Sequence, residues 1–210
     1  MCGGAGSGKT TFANELITFL GDACTLGTDD YVVGDREYRR KNLEGKNPLL
    51  KYNPEALNEN IRAIKKLQEG EFYMVPKYDD VTGEAVDAKE YHKKITPVKY
   101  IVVEGDFDFV NNPDLLIYFD VDDETRLQNR IRRDLAKGRD IDEEAIRKNF
   151  ALRQELQHIP YTEPARKKAH MIVSAKLATG QANIGGDNTD LYQYDFSYRG
   201  KEWDDMEEEL

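Results

Sequence analysis

Only two cysteines, three histidines and one tryptophan occur among the 210 residues of this chain. Cys2 and Cys24 make no CxxC pair and no Cys/His metal spacing, which excludes a disulfide framework and a zinc site. Both are expected to be buried, reduced thiols of a cytosolic protein. No apolar run approaches the roughly 18 residues that a membrane span requires, and no leader-like segment precedes the first motif. The expectation is therefore a cytoplasmic protein with no membrane partner. His92, His158 and His170 lie apart, without partners at ligand spacing, and are read as packing or surface residues. Internal repeats are absent, and no Pro/Gly/Ser linker occurs before about residue 178, so the length suits one main domain.

Basic charge is also in short supply: 40 Asp and Glu face 30 Lys and Arg, for a formal charge of −10. Half of that charge sits in residues 201–210 (KEWDDMEEEL), which read as a solvated acidic tail. A basic surface for nucleic acid is excluded. Mean hydropathy is low, at −0.74. Leu, Ile, Val and Phe still make up about 23% of the chain, above the ~20% below which a highly charged chain stays disordered.

Apolar spacing predicts helices over 10–20, 54–69, 122–137 and 142–158, the last two flanking a break at Gly138. Residues 23–27 read as a short strand, and 72–75 and 85–95 as strands around the turn 80–83. The runs YIVV (100–103) and LLIYFDV (115–121) lack polar alternation, as strands buried on both faces of a parallel sheet do. A strand over 171–173 follows. Tyr192, Tyr194, Phe196 and Tyr198 alternate as one face of an edge strand. Strands alternating with helices predict an α/β fold with a parallel central sheet.

Residues 3–10 read Gly-Gly-Ala-Gly-Ser-Gly-Lys-Thr and match G-x-x-x-x-G-K-[ST]. Glycines let backbone N–H groups converge on phosphate oxygens, and the following helix presents its positive end. Gly4, Ala5, Gly6, Ser7, Gly8, Lys9, Thr10 and Thr11 are thus candidate ATP-binding residues. Lys9 reaches the β- and γ-phosphates, and Thr10 can ligate Mg²⁺. The fold is predicted as a P-loop NTPase three-layer sandwich. Because only Met1 and Cys2 precede the loop, its first strand is expected to be cut short at this start.

A guanine-reading Asn/Thr-Lys-x-Asp is missing, which disfavours a GTPase switch. Asp29, at the end of the second strand, can accept the proton of an attacking hydroxyl. Glu104 ends the YIVVEG strand, where an acid can hold Mg²⁺ or its water. Residues 126–139 (RLQNRIRRDLAKGR) carry six bases and one acid. Arg126, Arg130 and Arg133 fall on one helix face, a pattern suited to a lid that neutralises a transferring phosphoryl group.

Together these segments resemble the uridine kinase/phosphoribulokinase family of P-loop kinases over roughly residues 1–173. The motifs are GGAGSGKTT, Asp29-Asp30-Tyr31, PKYDDVTG (76–83), VVEGDF (102–107) and DxxxRLxxRIxRDxxxGRD from Asp122 to Asp140, which is most similar to the uridine–cytidine kinase lid. The resemblance implies Lys9, Asp29 and Arg133 as catalytic residues, with Asp29 the base. It implies Thr10 and Glu104 near Mg²⁺ and Arg133, Lys137 and Arg139 on ATP phosphates. Asp29, Tyr52, Tyr78 and Arg130 would face the acceptor. It also implies a kinase domain over 1–177, with a substrate lobe near 31–97, a lid near 126–141, and an extension over 178–210. Uridine kinases place an aromatic, a His and an Arg after Tyr-Asp, where this chain continues Asp80-Val81-Thr82-Gly83, as phosphoribulokinases do. Their acid for the ribose hydroxyls has no counterpart in Lys51-Tyr52-Asn53-Pro54. The expected acceptor is a nucleoside, with a sugar or sugar phosphate as the alternative; a non-catalytic nucleotide-binding regulator and an oligomer remain open.

Overall fold

Strand β2 (Ala23–Gly27) lies parallel to β5 (Tyr100–Glu104), with Ala23 opposite Tyr100 and Gly27 opposite Glu104. This register brings the C-terminal ends of two half-buried strands level with each other, with Glu104 on one and Asp29 and Asp30 just beyond the other. The computed structural model to which they belong describes residues 1–79, 93–136, 142–177 and 192–198. It comprises two compact units. One contains Met1 and Lys9–Pro113, and the other Cys2–Gly8 and Asp114–Leu210.

In the first unit, α1 (Lys9–Leu20) packs on both β2 and β5. A 3-10 turn, Thr28–Tyr31, follows β2 and carries Asp29 and Asp30. Helix α2 (Arg36–Leu43) is capped by the Asp35 carboxylate, and α3 (Pro54–Ile64) by Asn53, which accepts from Ala56 N–H at 3.0 Å. Proline suits the first turn of α3, where its missing N–H has no intrahelical partner. The helix ends at Ile64, five residues before the predicted 54–69. Its last turn tightens through Leu67 N–H to Ile64 C=O, and the Gln68 N–H is taken by the Glu71 carboxylate at 2.8 Å. That side chain outcompetes the helical acceptor. Strands β3 (Tyr73–Val75) and β4 (Lys93–Ile95) pair antiparallel. The turn at 80–83 and most of the predicted strand 85–95 lie outside the described residues. Cys24, Leu26, Tyr31, Leu57, Ile61, Ile64, Val75 and Ile95 form the core.

In the second unit, β1 (Cys2–Gly3) pairs parallel with β6 (Ile117–Phe119), β6 parallel with β7 (Met171–Leu177), and β7 antiparallel with β8 (Tyr192–Tyr198). A first strand is present, two residues long. All three β6 side chains are buried, as the unalternating run predicts. The strand covers only the middle of 115–121, because the Leu116 N–H is drawn to His170 Nδ1 at 2.8 Å. The edge strand also forms as predicted, although Phe196 remains exposed.

Helix α4 (Asp123–Ala136) starts under the Asp122 carboxylate, which accepts from the N–H and hydroxyl of Thr125. These bonds hold the Asp122 carboxyl below the usual carboxylate range. Helix α5 (Glu143–Arg153) is capped by Asp142 and gives way to a π-helical stretch, Gln154–Thr162. The predicted helix 142–158 therefore divides at Arg153. Pro160 has no N–H for an α-ladder, and the wider turn accommodates it. Cys2, Leu116, Tyr118, Ala165, Ala169 and Ile172 make the core of this unit. Both cysteines are buried and neither is in a disulfide. Among the described residues no helix is long and apolar enough to cross a membrane.

Candidate active site

The glycine-rich loop turns on a bond from Ser7 N–H to Gly4 C=O at 3.2 Å, with Gly6 at φ 87°. Its underside belongs to α4. Asn129 donates from its side-chain amide to Gly6 C=O at 2.9 Å. A Cβ at Gly4 would overlap the Arg126 guanidinium, and one at Gly6 would overlap the Arg126 carbonyl. Close approach thus favours glycine at both positions, and at Gly6 the positive φ requires it as well. Ser7 is buried, while Thr10 and Thr11 are exposed.

The arginines of α4 do not share one environment. Arg126 is 2% exposed and meets His158, the Gln154 side-chain carbonyl, Asp123 at 3.4 Å and the ring of Phe150. Arg130 is also buried, donating to Asn149 Oδ1 at 2.7 Å, with Asp134 at 3.7 Å. Arg133 has a half-exposed side chain and pairs with Asp134 at 3.1 Å. The helix turns its earlier arginines inward, so the basic face read from spacing is open only toward its C-terminal end. Lys137 and Arg139 lie outside the described residues. His158 and His170 make packing contacts, as expected; His92 lies outside the described residues.

In the first unit the ends of α1, β2 and β5 bring charged groups together. Thr10 Oγ1 donates to Glu104 Oε2 at 3.2 Å, and Lys9 Nζ pairs with Asp106 Oδ1 at 3.3 Å. Burial pushes the Glu104 carboxyl above its usual range. Lys9 and the Thr10 hydroxyl oppose that shift, and Asp29 and Asp106 add to it. The neighbouring aspartates differ. Asp30 accepts from Gly27 N–H at 3.1 Å and from Tyr78 N–H at 2.8 Å, whereas Asp29 is exposed and receives the Tyr52 hydroxyl at 3.4 Å. The Tyr52 ring packs edge-on to Phe107 and tilted to Phe109, both at 5.4 Å between centroids. Asn58 of α3 fixes this segment by donating to Phe109 C=O at 2.7 Å and accepting from Asn111 N–H at 2.9 Å.

Asp29, Tyr52, Lys9, Thr10 and Glu104 were all candidates from sequence; Asp106, Phe107, Phe109 and Asn129 were not. The alternation Asp106-Phe107-Asp108-Phe109 was the available signal, acids and rings at period two. For a divalent cation, the Thr10 hydroxyl and Glu104 carboxylate form a suitable oxygen pair. No cluster of three or more His, Cys, Asp or Glu capable of holding a metal occurs among the described residues. A cation here would take its other ligands from phosphates and water, the habit of Mg²⁺.

A glycine-rich loop running into a helix with Lys9 and Thr10, and acids at two parallel strand ends, is the arrangement that the family comparisons resolve. Residues 1–179 match the phosphoribulokinase/uridine kinase family. The chain belongs to that family. Its relatives include a uridine kinase of Borrelia duttonii (strain Ly), 30% identical over 181 residues, covering 81% of this chain and 82% of the relative. A uridine kinase of Chlamydia pneumoniae is 30% identical over 179 residues, covering 81% and 78%. The solved structure of phosphoribulokinase from Rhodobacter spheroides aligns at a TM-score of 0.56 with 15% identity, over 87% of this chain and 71% of that one. This structural likeness shows the fold, a P-loop α/β architecture with a mostly parallel sheet. As a member of the phosphoribulokinase/uridine kinase family, the protein is an ATP-dependent kinase that phosphorylates a hydroxyl of a small metabolite.

Proposed function

We propose that the acceptor is a nucleoside and that Asp29 receives the proton of its hydroxyl as the oxygen attacks the γ-phosphorus of ATP. The observation that carries this reading is the contrast at the end of β2. Asp30 is engaged by two backbone N–H groups, while Asp29 is exposed beside the Tyr52 hydroxyl and the Tyr52–Phe107–Phe109 rings. A carboxylate within reach of the acceptor does general-base work, and flat apolar rings offer a stacking surface to a nucleobase. Tyr78, held through its backbone to Asp30, borders the same acceptor side.

The loop residues Gly4, Ala5, Gly6, Ser7 and Gly8 donate N–H groups to phosphate oxygens, with Lys9, Thr10 and Thr11 continuing the cradle into α1. Thr10 and Glu104 would hold Mg²⁺, which when bound neutralises charge on the phosphates. Arg133, and beyond it Lys137 and Arg139, supply positive charge to the transferring phosphoryl group from a lid over about 126–141. Residues 31–97 form the substrate lobe of a kinase domain over 1–177, with 178–210 as an extension. The domain works in the cytoplasm.

A second reading, a sugar or sugar-phosphate acceptor, is favoured by Asp80-Val81-Thr82-Gly83 and by the missing acid in Lys51-Tyr52-Asn53-Pro54. The test is acceptor-dependent ADP release with Mg²⁺ and a panel of nucleosides, ribulose 5-phosphate and vitamin-like alcohols. Release stimulated most by a nucleoside is expected. Stimulation by a phosphorylated sugar alone replaces the nucleoside reading, and no stimulation by any member defeats both for that panel.

A further inference from the structure

Lys9 occupies an awkward place for a cation. It opens α1, where the helix macrodipole is positive, and it is only 6% exposed. A buried ammonium without a counter-charge is costly. Asp106, its side chain 19% exposed, supplies that counter-charge at 3.3 Å. Two residues earlier on the same chain segment, Glu104 receives the Thr10 hydroxyl. Consecutive residues of the helix start, Lys9 and Thr10, are thus engaged by alternate residues, 106 and 104, at the end of β5.

We propose that Asp106 is a positioning residue that keeps Lys9 extended in an ion pair until the phosphate chain of a nucleotide takes its place. The inference rests on the reading of residues 3–10 as a phosphate loop and assigns to it a resident competitor. Lys9 of such a loop reaches the β- and γ-phosphates, so a triphosphate can displace Asp106 from it whereas a monophosphate lacks the groups to do so. Once phosphates are bound, the Asp106 carboxylate is repelled by them. Loss of the competing pair and loss of the repulsion act in the same direction, so neutralising Asp106 tightens phosphate binding.

Calorimetric titration of the full chain with ATP, AMP and sodium tripolyphosphate, without divalent cation, tests this. Asp106→Asn is expected to bind ATP and tripolyphosphate on the order of tenfold more tightly than wild type, with AMP changed far less, as for loss of one close charge pair. Asp106→Glu, which keeps the charge, should stay within about twofold of wild type, on the scale of an exposed pair's small energy. In turnover assays with Mg²⁺, the KM for ATP should fall in Asp106→Asn while kcat changes less. Unchanged or weaker tripolyphosphate binding in Asp106→Asn, or a kcat loss without a KM change, overturns the proposal. Should Asp106→Asn be unfolded alone, tripolyphosphate at a concentration saturating wild type must restore a cooperative melting transition; failure to do so also overturns it. Wild-type protein that binds neither ATP nor tripolyphosphate would instead sink the phosphate-loop reading itself.

Discussion

The acidic strand ends of the first unit and the basic helix of the second handle like charges in the same way. After β2, Asp30 is tied to the backbone at Gly27 and Tyr78, while its neighbour Asp29 is exposed with a hydroxyl for company. Along α4, Arg126 lies buried against the glycine loop, while Arg133, seven residues on, has a half-exposed side chain. In both places one charge holds the scaffold and its counterpart reaches outward. Charge density in a sequence locates such a region but does not divide its labour, because burial depends on what other elements pack there.

The sharpest way to break the comparison is at its outward-reaching acid. Asp29→Asn should lower turnover by about 10²–10⁴-fold, the usual worth of a general base, while calorimetry finds ATP affinity unchanged. On the basic side, Arg126→Ala should destabilise the fold by about 2–5 kcal/mol in urea unfolding, the range for deleting a large buried side chain. Arg133→Ala, a surface change, should shift stability by no more than about 0.5 kcal/mol and lower turnover instead. Next comes the holding acid. Asp30→Ala leaves the N–H groups of Gly27 and Tyr78 without their acceptor and should cost roughly 1–3 kcal/mol, read in the same unfolding assay.

The smallest effect concerns pH. The Glu104 carboxyl is raised on folding, chiefly by burial, so the folded state binds its proton more tightly than the unfolded chain. Its contribution to stability is complete below the ordinary carboxylate range and is lost as pH rises through the raised value. Glu104→Gln should therefore melt slightly higher than wild type at neutral pH, with the difference shrinking on acidification, although Mg²⁺-dependent turnover falls. A variant that melts lower at neutral pH would show that Lys9 and Thr10 outweigh burial at this site.

Much of this was legible in the sequence. The phosphate loop announces itself because its glycines are dictated by backbone geometry and close approach, which only that residue type satisfies. Strand β2 and the edge strand β8 could be bounded because turn residues punctuate them. The end of α3 was missed because a side chain, Glu71, intercepts a backbone donor, and apolar spacing carries no trace of that competition. The division after Arg153 had a visible cause in Pro160, but the π-helical solution that keeps the chain helical past it depends on tertiary packing. Asn58 and Asn60 are buried on α3 because Phe109, Asn111, Tyr31 and Tyr73 supply their partners, none of them sequence neighbours. Asp106 escaped notice for the same reason, its partner Lys9 lying 97 residues away.

That separation has a consequence for how the protein is made. The loop and helix start leave the ribosome well before their anchors, which are Glu104, 94 residues later, Asp106, 97 later, and Asn129, which reaches Gly6 across 123 residues. A nascent chain shorter than about residue 130 carries the whole nucleotide-binding motif without the groups that shape it, and such distant closures are slow to form. Nucleotide capture should thus be a late event in synthesis. ATP in the cell then acts as a ligand that favours the finished domain by mass action, and does nothing for its precursors.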